Sequence, residues 1–240
     1  IDLTTDQFYS RLVHSKTLPS TAIPSLGIFA EAYDKLAEQT DEILVITVSS
    51  KFSALSDVAL QAIGLMKRKC RIQVVDSLLG AMAMGLVVIA SAKAAQAGAS
   101  LDEVIDVTRN NIPRSNICFA FDTLEYLKRG GRIGKAQAFF GSMLKVNPIL
   151  TIKDGQAYPI ARERSRAKAI DYLCNFAMSY SHIDEMAIED ATTPDDAEAL
   201  AERLGSKFPN ERIYRAKITP SIGAHVGPHI LAVSVLGDKE

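Results

Sequence analysis

The sequence predicts an α/β protein of two domains, the first built on a parallel sheet and the second on a mixed or antiparallel one. Residues 41–48 (DEILVITV) and 71–76 (RIQVVD) are short β-branched runs, each followed by a helical pattern. That is the punctuation of βαβ units whose strands are buried on both faces. Beyond Asn116 the pattern changes to strands joined through Asp154-Gly155, a pair whose turn preference makes a hairpin and brings in antiparallel pairing. The 240 residues, 48% apolar and 23% charged, are enough to bury one large core or two small ones.

Residues 20–25 (STAIPS) form a polar turn whose Pro24 opens a helix through Phe29 and Tyr33, with Thr21 or Ser25 as its cap. The first strand ends in Ser49-Ser50-Lys51-Phe52-Ser53. The apolar stretch 78–92 contains two glycines and stops at Lys93, short of the roughly 20 residues a bilayer requires, so it reads as a buried helix. Ser100 with Glu103 forms a capping box for a helix to about Asn110, and Asp122 with Glu125 does the same for a helix ending at Gly130. A strand at 116–121 precedes that second helix. That helix is the first of two short ones, and a strand at 148–152, a hairpin into 158–161 and a long helix over about 164–180 come next. A strand at 182–189, a helix opened by Thr193-Pro194 and closed by Gly205, and strands at 212–218 and 230–236 complete the order. The boundary falls near 113–115 and divides the chain into 1–114 and 115–240.

A net charge of -1, from 27 basic and 28 acidic side chains, supplies no global field for nucleic acid or an anionic membrane. Cys70, Cys118 and Cys174 are odd in number and widely spaced, as expected of reduced thiols in a cytoplasmic protein. No His or Cys pair has metal-ligand spacing, and no GxGxxG or GxxxxGK[ST] phosphate loop occurs, so neither a metal nor a nucleotide cofactor is expected.

Three clusters remain as candidates for chemistry. The turn at 20–25 and the Ser49-Ser50 pair both lie where helices begin, and each alone reads as capping. The serine pair also follows a parallel strand, where open α/β sheets place ligands, but it lacks the GxSxG elbow of a serine hydrolase. The third cluster, residues 223–229 (GAHVGPH), puts His225 on a tight loop whose glycines let backbone approach a ligand.

These clusters, in this order, together with Asp76-Ser77, residues 123–133 (TLEYLKRGGRI) and 145–150 (KVNPIL), resemble the DegV family of bacterial fatty-acid-binding proteins. The resemblance covers nearly the whole chain. It implies an amino-terminal three-layer domain with a parallel sheet and a carboxy-terminal α/β domain. An acyl chain is then buried in the first and its carboxyl group lies near the junction. By position, Thr21, Ser49, Ser50 and His225 match the family's ligand-binding residues, and Arg132 and Arg164 match arginines near the pocket mouth. Three departures stand out: TAIPS lacks the polar pair after threonine, SSKFSAL replaces two glycines, and His229 stands where the family has glycine. Relatives also begin with about forty further residues, so Ile1 is expected to fall partway through the first domain.

The resemblance further implies a carrier without catalysis of its own. It presents the fatty acid to a separate dihydroxyacetone-kinase-like, ATP-dependent subunit that makes the acyl phosphate. Passive lipid storage and a small-molecule kinase or phosphotransferase of related fold stay open at this point, because fold does not decide function. Physically, burying about fifteen methylenes at roughly 0.8 kcal/mol each stabilises a complex by at most about 12 kcal/mol. A carboxylate taken out of water must be hydrogen-bonded to offset its desolvation, which is the use of hydroxyls at one end of an apolar cavity.

Overall fold

The computed structural model describes residues 2–140 and 146–239; Ile1 and Lys145, both used in the sequence argument, lie outside them. In chain order the elements are α1 (Thr5–His14), α2 (Leu26–Leu36), β1 (Glu42–Thr47), α3 (Leu55–Ala62), β2 (Arg71–Asp76), α4 (Ala81–Gln96) and α5 (Leu101–Asn111). There follow β3 (Ser115–Ala120), α6 (Glu125–Arg129), β4 (Asn147–Lys153), β5 (Gln156–Glu163), α7 (Arg166–Met178), β6 (Tyr180–Asp190), α8 (Pro194–Leu204), β7 (Ile213–Lys217), α9 (Pro220–Val226) and β8 (Leu231–Lys239). Short 3-10 turns lie at Ile63–Leu65, Gly134–Phe139 and Asn210–Arg212.

The fold is α/β, with a small parallel sheet and a larger mixed one. β1 and β2 pair in parallel, Glu42 opposite Arg71 through Thr47 opposite Asp76. The six-stranded sheet runs β5-β4-β3-β8-β6-β7, in which only β6 and β7 are parallel. Strand alternation divides its two faces. Cys118 and Ala120 of β3 and Val233 and Val235 of β8 pack with Leu173 of α7 and Leu200 of α8. Ile117, Phe119, Phe121 and Ala232 point the other way, onto Ala83 and Val87 of α4. α4 packs on the large sheet through Ala83, Leu86 and Val87, with α5 beside it and against β1, while Val88 and the last turn of α4 are exposed, so the apolar run is buried only in part.

Local signals explain most boundaries. Ser100 and Glu103 make the expected capping box of α5, each satisfying an amide of the other's end of the turn. Asp154 (φ +51) and Gly155 (φ +78) make the two-residue turn between β4 and β5. Three expectations are corrected. Asp122 does not cap α6: Thr123 Oγ1 accepts from the Glu125 amide at 3.1 Å, and the Asp122 carboxylate is taken by Asn147, Arg166 and His229. Pro24 does not open α2, which starts at Leu26 after Ser25 with no side-chain capping bond. His225 sits in the last turn of the short helix α9, not on a loop, and Gly227 (φ +85) ends that helix.

Candidate functional site: an apolar cavity with a polar partition

The carboxyl ends of β1 and β2 are tied to one another before they reach any cavity. Ser77 Oγ donates to Thr47 O at 2.7 Å, and the Ser49 amide donates to Leu79 O at 2.8 Å. The Ser50 amide donates to both Asp76 oxygens at 3.2 Å. Ser49 Oγ, fully buried, donates to Gly155 O at 2.6 Å and so joins the small sheet to the β4–β5 turn of the large one. The hydroxyl of Ser50 is exposed and has no partner among the described residues.

These linked turns form one wall of a cavity of about 710 Å³ between the two sheets. Val48, Phe52 and Leu55 after β1, Gly80, Ala81 and Met84 at the start of α4, and Phe119 of β3 with Phe121 just beyond it make it apolar. Leu127, Leu150 and Ile152 close the side towards β4, and Ile222 and Val226 of α9 the other. Thr151 also faces it, but its hydroxyl already donates to Ile117 O at 2.6 Å. A second cavity, of about 390 Å³, lies beside the first and is bordered by Leu18, Pro19, Ser20, Arg129 and Gly130.

Thr21, Arg132 and His225 line both cavities and form the partition between them. Thr21 Oγ1 and His225 Nε2 share a hydrogen bond of 2.9 Å. Arg132 is anchored by donating from Nε to Phe52 O at 3.0 Å and from one terminal nitrogen to Gly130 O at 2.7 Å. Burial, and then the nearby Arg132 guanidinium, hold the His225 imidazole below its ordinary value, so the ring is neutral at pH 7. Its Nδ1 is buried without a hydrogen-bond partner among the described residues. Together the three residues set a cation, a hydroxyl and a neutral imidazole at one end of an apolar cavity, a combination chemically able to pair with an anionic group while apolar atoms fill the rest.

Of the residues singled out in the sequence, the structure brings together Thr21, Arg132 and His225 and sets Ser49, Ser50 and Arg164 apart. Ser49 and Ser50 lie behind the cavity wall, where Ser53 of the same cluster is the serine that lines it. Arg164 is exposed between β5 and α7 and borders neither cavity. Its neighbour Arg166 is engaged instead, donating to Asp196 at 2.9 Å and to His229 O at 3.0 Å. Arg129 stands in the same TLEYLKRGGRI segment as Arg132 and carries no separate signal in the sequence; only the fold shows that both border the polar cavity.

A family model described as "Uncharacterised protein, DegV family" matches residues 1–238. A DegV domain-containing protein of Clostridium perfringens is 34% identical over 237 residues, covering 95% of this chain and 82% of the relative. A second, from Streptomyces coelicolor, is 36% identical over 221 residues, with 90% and 78% covered. Among solved structures, a fatty-acid-binding DegV family protein from Thermus thermophilus superposes with a TM-score of 0.88 at 28% identity, covering 98% of this chain and 85% of that one. DegV of Bacillus subtilis, also a fatty-acid-binding protein, gives 0.84 at 27% identity, with 96% and 83% covered.

Proposed function

This chain belongs to the DegV family, and from that premise we propose that it is a cytoplasmic carrier of a long-chain fatty acid. The acyl chain occupies the apolar cavity and the carboxylate meets Thr21, Arg132 and His225. One observation carries this reading: the three polar residues stand together where a large apolar cavity adjoins a small polar one. The tail supplies the driving force for binding, and the partition offsets the desolvation of the headgroup through charge-assisted bonds of about 1.5 to 3 kcal/mol each. Ser49 and Ser50 serve the site through the turn they build, which sets Phe52 and Ser53 against the cavity.

The carrier has no catalytic turnover alone and presents its ligand to a separate ATP-dependent kinase. The polar cavity on the far side of the partition supports this, since it gives a phosphoryl donor an approach to the carboxylate without displacing the tail. Arg129 and Arg132 border that approach and can pair with developing phosphate charge. ATP and its metal belong to the partner.

Denaturing extraction of protein purified from a bacterial host, followed by mass spectrometry, tests the carrier reading. A saturated or monounsaturated fatty acid is expected at near one per chain. Absence of lipid together with no uptake of added palmitate or oleate overturns it. ATP consumption with and without an added DegV-associated kinase tests presentation, and acyl phosphate formation by the isolated chain contradicts it.

A further inference from the structure

We infer that Gly130 is a positioning residue for His225: the side chain it lacks leaves the space the imidazole occupies, and so decides which ring nitrogen faces the site. The inference rests on the reading of the partition as a headgroup receptor. Three glycines follow α6 in close succession, and two are explained by their backbone. Gly131 (φ +71) and Gly134 (φ +51) lie in the left-handed region that side chains avoid. Gly130 does not: at φ -74 and ψ -8 it ends α6 in an ordinary helical conformation open to any L residue. Conformation gives no reason for glycine there, and space does.

A Cβ at position 130 would overlap His225 Nδ1 and lie 3.4 Å from Cε1 of the same ring. The helix that carries His225 has no easy retreat, because α9 is held to α6 by a second, reciprocal fit. Gly227, just past the end of α9, leaves room for the Tyr126 ring of α6; a Cβ there would stand 2.8 Å from Tyr126 Cε2. Each helix thus fills the gap left by the other's glycine, Tyr126 against Gly227 and His225 against Gly130. An added methyl at 130 is therefore relieved by rotation of the imidazole, and rotation breaks the 2.9 Å bond between Nε2 and Thr21.

The same wall makes the imidazole one-sided. Among the described residues Nδ1 is buried without a hydrogen-bond partner, while Nε2 faces Thr21 and the cavities. Among the described residues a proton added at Nδ1 would have no acceptor, so the charged ring is penalised; the neutral ring keeps its proton on Nε2, donates it to Thr21 Oγ1 and leaves the threonine O–H to donate to the ligand. This accounts physically for two motifs distant in sequence, KRGGRI and HVGP: each supplies the glycine that the other's ring requires.

A double-mutant cycle with oleate affinity as readout tests this. Gly130→Ala and His225→Ala each weaken oleate binding by about tenfold or more, and adding Gly130→Ala to His225→Ala weakens it no further. In parallel, imidazole NMR of the ligand-free protein should show the His225 signals of Gly130→Ala shifted, with a titration moved towards that of a solvent-exposed histidine. Wild-type affinity in Gly130→Ala, or losses that add in full, overturns the inference, as do unchanged His225 signals. If the wild-type protein takes up no fatty acid, the carrier reading fails on its own, and the NMR arm still decides the role of Gly130.

Discussion

Two hydroxyl-rich turns of similar composition meet different fates in this fold. The Ser49-Ser50 turn spends its hydrogen-bonding capacity on the fold: Ser49 Oγ reaches Gly155 O across 106 residues, and the Ser50 amide is taken by Asp76. The turn at Thr21 keeps its side chain at the edge of two cavities where, among the described residues, it is bonded only to a histidine that is itself left with an unpartnered nitrogen. Composition does not separate a scaffold from a receptor; unused hydrogen-bonding capacity beside apolar space does.

The largest effect expected on stability comes from a group that sharpens this contrast. Glu189 is fully buried and accepts from Ser234 Oγ at 2.9 Å and from the Met82 amide at 3.0 Å, yet no cation faces it among the described residues. Burial pushes its carboxyl from the ordinary 4.5 up to about 7, against the lowering effect of those two bonds. A raised carboxyl contributes stability that is complete below about pH 4.5 and lost as pH rises through about 7. From this shift the loss is about 3 kcal/mol. Glu189→Gln should remove that fall, so in chemical denaturation the change in stability between pH 5 and pH 8 should differ between parent and variant by about 3 kcal/mol, the parent losing more.

At the partition the expected effect is on affinity. His225→Ala should weaken fatty acid binding by about 1.5 to 3 kcal/mol while changing the stability of the ligand-free protein little, as titration calorimetry and thermal melts would show. Ser49→Ala should do the reverse. It leaves Gly155 O without its donor in a buried place and lowers stability by about 1 to 3 kcal/mol, read by urea unfolding of the ligand-free protein. Ser50→Ala should cost no more than about 0.5 kcal/mol in either assay, because its amide and not its hydroxyl is engaged.

The same division explains what could be read from the chain. Elements whose signals close within a few residues were legible: the capping box at Ser100 and Glu103, the turn at Asp154-Gly155, and the existence of the strand at 116–121. Asp122 carries as good a local capping signal as Ser100, but Asn147, Arg166 and His229, from β4, α7 and the approach to β8, compete for its carboxylate and win. Thr21, Arg132 and His225 could be singled out by resemblance, yet their convergence depends on contacts spanning up to 204 residues. Glu189 gave no signal at all, since nothing in HIDEMAIE says which carboxylate meets the first turn of α4. Arg164 and Arg166 are two residues apart on the approach to α7, and only packing decides that the second is the one held.

The most direct test of the partition as a carboxylate receptor is to compare oleate with oleyl alcohol, which keeps the tail and removes the charge. The wild-type protein should prefer oleate by about tenfold or more, and Arg132→Ala should lose that preference while holding the alcohol as tightly as before. Equal affinity of the wild-type protein for acid and alcohol would contradict the account, because the tail alone would then explain binding.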